Sequence, residues 1–195
     1  MAVVIIILGR VINVSFLQTA LVDFLLMVSI PALFIKLYKK CLREYGFSLG
    51  NLRLGLKYSA IIFLLALPLM AYGSQLPSFK EYYPIWKPAY DSIGNLILYE
   101  LAVGVLLFAT EFFYRGFLLF TLAEKTRYGN IIHAIVYALA HIGKPFLEIP
   151  YSFLAGLVFG EVDLKCKSIL PSFLMHFLGN ITFDLLFIYF RSQGV

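Results

Sequence analysis

Long apolar runs alternate along this chain with short basic or aromatic segments. Residues 16–37, 58–72, 95–123, 129–141, 150–161 and 168–190 read as six helices. The longest, 95–123, contains no proline. At the α-helical rise it would measure about 43 Å, more than the roughly 30 Å hydrocarbon layer, so it tilts or protrudes. Pro150 suits the first turn of the fifth helix; Ser168 suits the N-cap of the sixth and Pro171 its first turn. Residues 2–14 are apolar but too short to span, and Arg10 interrupts them, which suggests an interfacial stretch or a lead-in to the first span. Residues 74–91 carry Pro77, Tyr82, Tyr83, Trp86 and Tyr90. Such rings favour the headgroup layer, so an interfacial loop is expected there.

Composition turns these helices into membrane spans. Of 195 residues, 61% are hydrophobic and 14% charged, and the mean hydropathy is +0.87. A soluble domain of this size could not hide so much apolar side chain. The fold class read from the sequence is all-α, a polytopic membrane bundle of about six transmembrane helices, with residues 1–195 as a single membrane-embedded domain. The net charge of +5 belongs to short loops rather than to a nucleic-acid groove, and no Gly-rich phosphate loop is present. Lys36, Lys39, Lys40, Arg43, Arg53, Lys57, Lys125, Arg127, Lys165 and Lys167 on one side outnumber Arg10, Lys80, Lys87, Lys144 and Arg191 on the other. The loops after the first, third and fifth spans are therefore expected in the cytoplasm, with both termini outside. Cys41 and Cys166 fall in those basic loops, where thiols stay reduced, so neither a disulfide nor a cysteine metal site is expected. The N-terminal stretch lacks the basic region of a signal peptide, and no lipidation motif is visible.

Polar residues inside the apolar runs carry the candidate chemistry. Glu111 and Arg115 stand four apart in the third span; on the surface of a soluble helix this pair would contribute a few tenths of a kcal/mol. Near a bilayer midplane each charge costs roughly 2.5–3.5 kcal/mol, so the pair must face other protein or water. Counted from the cytoplasmic end of each helix, Glu111 lies about 20 Å deep, Arg115 about 13 Å, His141 about 18 Å, His176 about 12 Å and Asn180 about 18 Å. Five polar groups on three helices thus share one layer. His176, Asn180 and Asp184 share one helical face. A carboxylate or neutral imidazole in such a layer could take a proton from water, and imidazole and carboxamide N–H groups could hold a developing oxyanion. Asp23 and Asp184 are deep by the same count. His133 and Glu100 read as interfacial, and Glu161, Asp163, Lys165 and Lys167 as a solvated loop.

Three stretches resemble the motifs of the CAAX proteases and bacteriocin-processing enzymes, the glutamate intramembrane proteases. The family's Glu-Glu-x-x-x-Arg followed by Gly is here Thr110-Glu111-Phe112-Phe113-Tyr114-Arg115-Gly116. Its Phe-x-x-x-His is here Tyr137-Ala138-Leu139-Ala140-His141. Its His-x-x-x-Asn or Asp is here His176-Phe177-Leu178-Gly179-Asn180. Order and separation fit, over about residues 95–190. The resemblance implies a metal-independent endopeptidase without a cofactor, acting on a hydrophobic or lipidated peptide in the bilayer. It implies that His141 activates water, that His176 and Asn180 form the oxyanion hole, and that Arg115 orients the neighbouring Glu.

Thr110 departs from the pattern, standing where the family's leading Glu, its assigned base, would be. Adjacent helical residues point about 100° apart, so Glu111 replaces that Glu only if the helix rotates. Either Glu111 does the base work, with Thr110 holding the water, or Glu111 is a structural partner of Arg115 and catalysis is weak or absent. The second case makes the chain a membrane immunity or scaffold protein. A proton-linked transporter would use Asp23, Glu111 and Asp184, but the inverted repeats and broken helices of transporters are missing. A zinc hydrolase could use a His, His, Glu set, but no His-Glu-x-x-His occurs.

Overall fold

The computed structural model describes residues 16–193. The expectations for residues 2–14 and for the two termini lie outside the described residues. Helix α1 runs Phe16–Phe24, passes through a π-helical turn at Leu25–Ser29 and continues as Ile30–Leu37. Helix α2 is Leu52–Gly73 and α3 is Pro77–Tyr82. Helix α4 runs Ile93–Glu111, widens to π-helical geometry at Phe112–Leu119 and ends as Phe120–Lys125. Helix α5 is Gly129–Leu139, α6 is Glu148–Cys166 and α7 is Leu170–Ser192. No strand occurs among the described residues, and the all-α reading of the sequence holds.

Four helical stretches, Gln18–Leu37, Leu52–Gly73, Ile93–Lys125 and Leu170–Ser192, are long and apolar enough to cross a membrane. The fourth and fifth expected spans differ. Helix α5 has 11 residues, about 16 Å of helix, which falls short of a roughly 30 Å hydrocarbon layer. Helix α6 has 19 residues but carries Glu148, Glu161, Asp163 and Lys165. These two helices pack chiefly on each other, while α7 packs on α2 and α1 on α4. Their contact uses small residues in the way membrane helices do, where close backbone approach replaces a hydrophobic driving force. A Cβ at Gly156 would sit 3.2 Å from the Ala134 backbone, and one at Gly160 would sit 2.2 Å from Asn130 Oδ1. The Asn130 amide donates to the Leu157 carbonyl at 3.0 Å.

The bundle turns apolar side chains outward and ionisable ones inward. Leu64, Leu65 and Leu69 of α2 are each more than half exposed, whereas Glu111, Arg115 and Asp163 are fully buried. Exposed apolar surface of that extent suits acyl chains as the outer solvent.

The loops expected on the cytoplasmic side gather at one end of the bundle. Ile169 N–H donates to the Gly46 carbonyl at 3.0 Å and Asn51 N–H to the Cys166 carbonyl at 2.9 Å. Ser48 Oγ donates to the Lys167 carbonyl at 2.8 Å, and Ser168 Oγ donates back to the Ser48 carbonyl. Ser168 also accepts from Leu170 N–H at 3.1 Å, so it supports the start of α7 although the helix begins after Ile169. The segment 74–91 folds at the opposite end as α3 and a 3₁₀ turn at Lys87–Tyr90, with Trp86 stacked on Phe16 at 6.5 Å. Gly50 has φ +51°, and a Cβ there would lie 2.0 Å from the Cys166 carbonyl oxygen. Gly50→Ala should therefore destabilise the protein by more than about 1 kcal/mol, seen as a lower midpoint when unfolding in detergent is followed by circular dichroism.

Candidate active site

Glu111 ends the α-helical part of α4, and Arg115 lies in the π-helical segment that follows. Such segments insert extra backbone per turn and recur at functional sites. Here the widened turn still brings the two side chains together. Arg115 Nη1 donates to both Glu111 oxygens at 2.7 Å, and both side chains are fully buried. The Arg115 guanidinium lies 4.1 Å above the Tyr137 ring and 5.3 Å from the Phe159 ring. Aromatic faces offer a weakly hydrated guanidinium a favourable surface where water is excluded.

His176 reaches the same carboxylate from α7. Its Nδ1 is 2.7 Å from Glu111 Oε1. A carboxylate only accepts, so Nδ1 carries the hydrogen. Glu111 is thus held by an arginine from its own helix and an imidazole from another. His176 keeps partial exposure while Glu111 has none.

His141 follows the end of α5, with its Nδ1 2.9 Å from the Tyr137 carbonyl. The carbonyl also only accepts, so Nδ1 carries the proton and Nε2 is left with a lone pair. The His141 and Tyr137 rings meet edge to face at 4.7 Å. Tyr137 therefore joins the halves of the site, with Arg115 on its face and His141 at its edge. His141 lies within electrostatic reach of His176 and Arg115. Its Nε2 is 4.0 Å from Glu148 Oε1. Glu148 opens α6, where the helix dipole favours a carboxylate. It accepts from Tyr83 Oη at 2.9 Å to each oxygen and from Lys144 Nζ at 2.9 Å. Burial, and then the Glu148 charge, hold the Tyr83 phenol well above its usual range, so Tyr83 is the donor.

Asn180 and Asp184 lie further along α7 in a second cluster. The Asn180 amide nitrogen donates to Glu100 Oε2 at 3.2 Å and to Asp184 Oδ2 at 2.9 Å. Tyr90 Oη donates to Asp184 Oδ1. Asp184 is buried, accepts from a phenol and an amide, and has Glu100 as a third partner. Thr110 spends its hydroxyl on the Leu106 carbonyl of its own helix at 2.8 Å. Asp23 is half-buried on α1.

Two residues read as interfacial or solvated are interior, and a third, Glu100, is only partly buried. His133 is fully buried and stacked on Tyr137 at 6.3 Å. Asp163 is fully buried and accepts from Ser172 Oγ at 2.6 Å and Ser172 N–H at 3.3 Å. Glu100 joins the Asn180 cluster. Sequence reasoning also passed over Glu148, Lys144 and Tyr83. The only sequence signal for them was the spacing from Lys144 to Glu148, a helical ion-pair distance that seldom means chemistry. Among the described residues no group of three or more His, Cys, Asp or Glu side chains is arranged to hold a metal ion.

Arg115→Ala should leave Glu111 charged and unpaired in the interior, at a cost of about 3–5 kcal/mol. Arg115→Ala combined with Glu111→Gln should recover a large part of that loss. Detergent-unfolding midpoints of the two single variants and the double variant measure the coupling.

Residues 92–182 match a family model described as Rce1-like, type II CAAX prenyl endopeptidase Rce1-like. The matched stretch holds all three motifs and every α4, α5 and α7 side chain named above except Asp184. No curated protein and no solved structure matches the chain significantly. The stretch that builds the site is thus Rce1-like, of the CAAX protease family that the three motifs resemble.

Proposed function

We propose that the protein is a multi-pass intramembrane endopeptidase that hydrolyses a peptide bond in a hydrophobic or lipidated substrate. The observation that carries this reading is Glu111, fully buried and bonded at 2.7 Å to both Arg115 and His176, within a stretch that matches the Rce1-like family. His141, with an unprotonated Nε2, takes the proton from the attacking water. The oxyanion is held by the Nε2–H of a doubly protonated His176, whose Nδ1–H is committed to Glu111, and by Asn180 once its amide leaves Glu100 or Asp184. Both Glu111 oxygens accept from Arg115, and one also accepts from His176. These bonds favour Glu111 as the group that orients His176 over Glu111 as the water-activating base.

The test is cleavage of a farnesylated C-terminal peptide by the full-length protein in proteoliposomes, without added metal. His141→Ala and His176→Ala should each lower kcat by about 100-fold or more, and EDTA should leave wild-type turnover unchanged. Loss of turnover in EDTA, restored by zinc, would instead support a zinc hydrolase. The Thr110 hydroxyl, bonded to its own helix, favours one second reading, a non-catalytic scaffold. Absence of cleavage by wild type together with a large gain in Thr110→Glu would establish that reading.

A further inference from the structure

The chain has no carboxylate at position 110 to work beside His141, but it brings one there from another helix. His141 Nε2 and Glu148 Oε1 face each other across 4.0 Å. That is too far for a direct hydrogen bond. Nor would the two atoms form one in the tautomer the structure holds. The Tyr137 carbonyl keeps the proton on Nδ1, so Nε2 and Oε1 are both acceptors. Two acceptors at this separation suit a single species that donates twice, and water is such a donor.

We propose that Glu148 is a catalytic residue: with His141 it binds and activates the hydrolytic water, replacing from α6 the carboxylate that Thr110 does not supply on α4. This rests on the endopeptidase reading above. One O–H of the water points to His141 Nε2 and the other to Glu148 Oε1. As the water oxygen bonds to the scissile carbonyl carbon, its first proton passes to Nε2 and the carbonyl π electrons move to oxygen. The second proton stays on the attacking oxygen, held by Oε1. Collapse of the tetrahedral intermediate breaks the C–N bond, and His141 returns its proton to the amine nitrogen. The products are a carboxylic acid and an amine, with His141 and Glu148 as they began. The ionised Glu148 also offsets the charge of the transient imidazolium.

The other contacts of Glu148 fit this task. Tyr83 Oη stands at 2.9 Å from both oxygens. When its proton settles on Oε2, Oε1 is left to Lys144 and the water. Lys144 and Tyr83 hold the carboxylate in place. Glu148 and His141 are both mostly but not wholly buried, at 14% and 10% side-chain exposure, which leaves the pair open to water. Glu111 has no exposure at all.

The experiment compares wild type, Glu148→Gln, Glu148→Asp and Tyr83→Phe on the farnesylated peptide in proteoliposomes, with detergent-unfolding midpoints as the check on folding. Glu148→Gln keeps the shape and the acceptor for Tyr83 and removes the charge. It should lower kcat by about 100-fold or more with KM within threefold, as loss of a general-base partner does. Glu148→Asp should restore part of that loss. Tyr83→Phe loosens the carboxylate but leaves its charge, and should lower kcat by less than Glu148→Gln does. A folded Glu148→Gln with wild-type kcat overturns the proposal alone. Tyr83→Phe falling as far as Glu148→Gln also overturns it, because Glu148 would then be only a strut between α6 and the Tyr83 segment. A wild type that cleaves nothing overturns the endopeptidase reading and this proposal with it.

Discussion

A carboxylate and a guanidinium, both without solvent, sit at the centre of this bundle and face each other at 2.7 Å. In a low-dielectric interior each would be prohibitive alone, and together they are tolerable only with good geometry and further partners. The structure supplies those partners from three neighbouring helices. His176 of α7 donates to Glu111, Tyr137 of α5 lies under Arg115, and Phe159 of α6 flanks it. Moving α7 would take the imidazole from Glu111, and moving α5 or α6 would take an aromatic face from Arg115. The pair therefore sets how α5, α6 and α7 close around α4.

The rest of the molecule frames that centre. At one end, backbone and serine hydrogen bonds tie the loop after α1 to the turn between α6 and α7. At the other, Tyr83 binds Glu148 across 65 residues of sequence. Between them, α5 and α6 meet over Gly156, Gly160 and Ala134, close enough for Tyr137 and Phe159 to reach the same guanidinium. The polar groups then form two regions. Glu111, Arg115, His176 and the His141–Glu148 pair gather around Tyr137, while Glu100, Asn180, Asp184 and Tyr90 cluster further along α7. Asn180 is bonded in the second region, one helical turn from His176, so in the proposed mechanism it reaches an oxyanion only by exchanging a carboxylate partner.

Much of the candidate site was legible because an intramembrane charge is costly wherever it falls. Glu111, Arg115, His141 and His176 stand out against an apolar background, and their spacing puts them at similar depths. Asp163 and His133 were misread for one reason: both lie near the ends of apolar runs, where a one-dimensional count places the membrane surface. The fold covers those ends with other helices. Asp163 finds Ser172 of α7, and His133 finds Tyr137. Glu148 was invisible for a different reason. It lies just past a short helix, in a segment with no periodicity, and only the turn that leads into α6 brings it back toward His141.

The sequence by itself determined the class of molecule, its long apolar helices and four of the inward-facing groups, Glu111, Arg115, His141 and His176. Hydropathy and the cost of buried charge are local properties, and a residue carries them whatever its neighbours. Tertiary structure alone decided the pairings: that Glu111 binds His176, that Thr110 bonds back to its own helix, and that Glu148 stands across from His141. Those choices depend on the phase of α4 through its π-helical turn and on how closely α5 and α6 approach. Both are set by side-chain packing between helices, which no local pattern encodes.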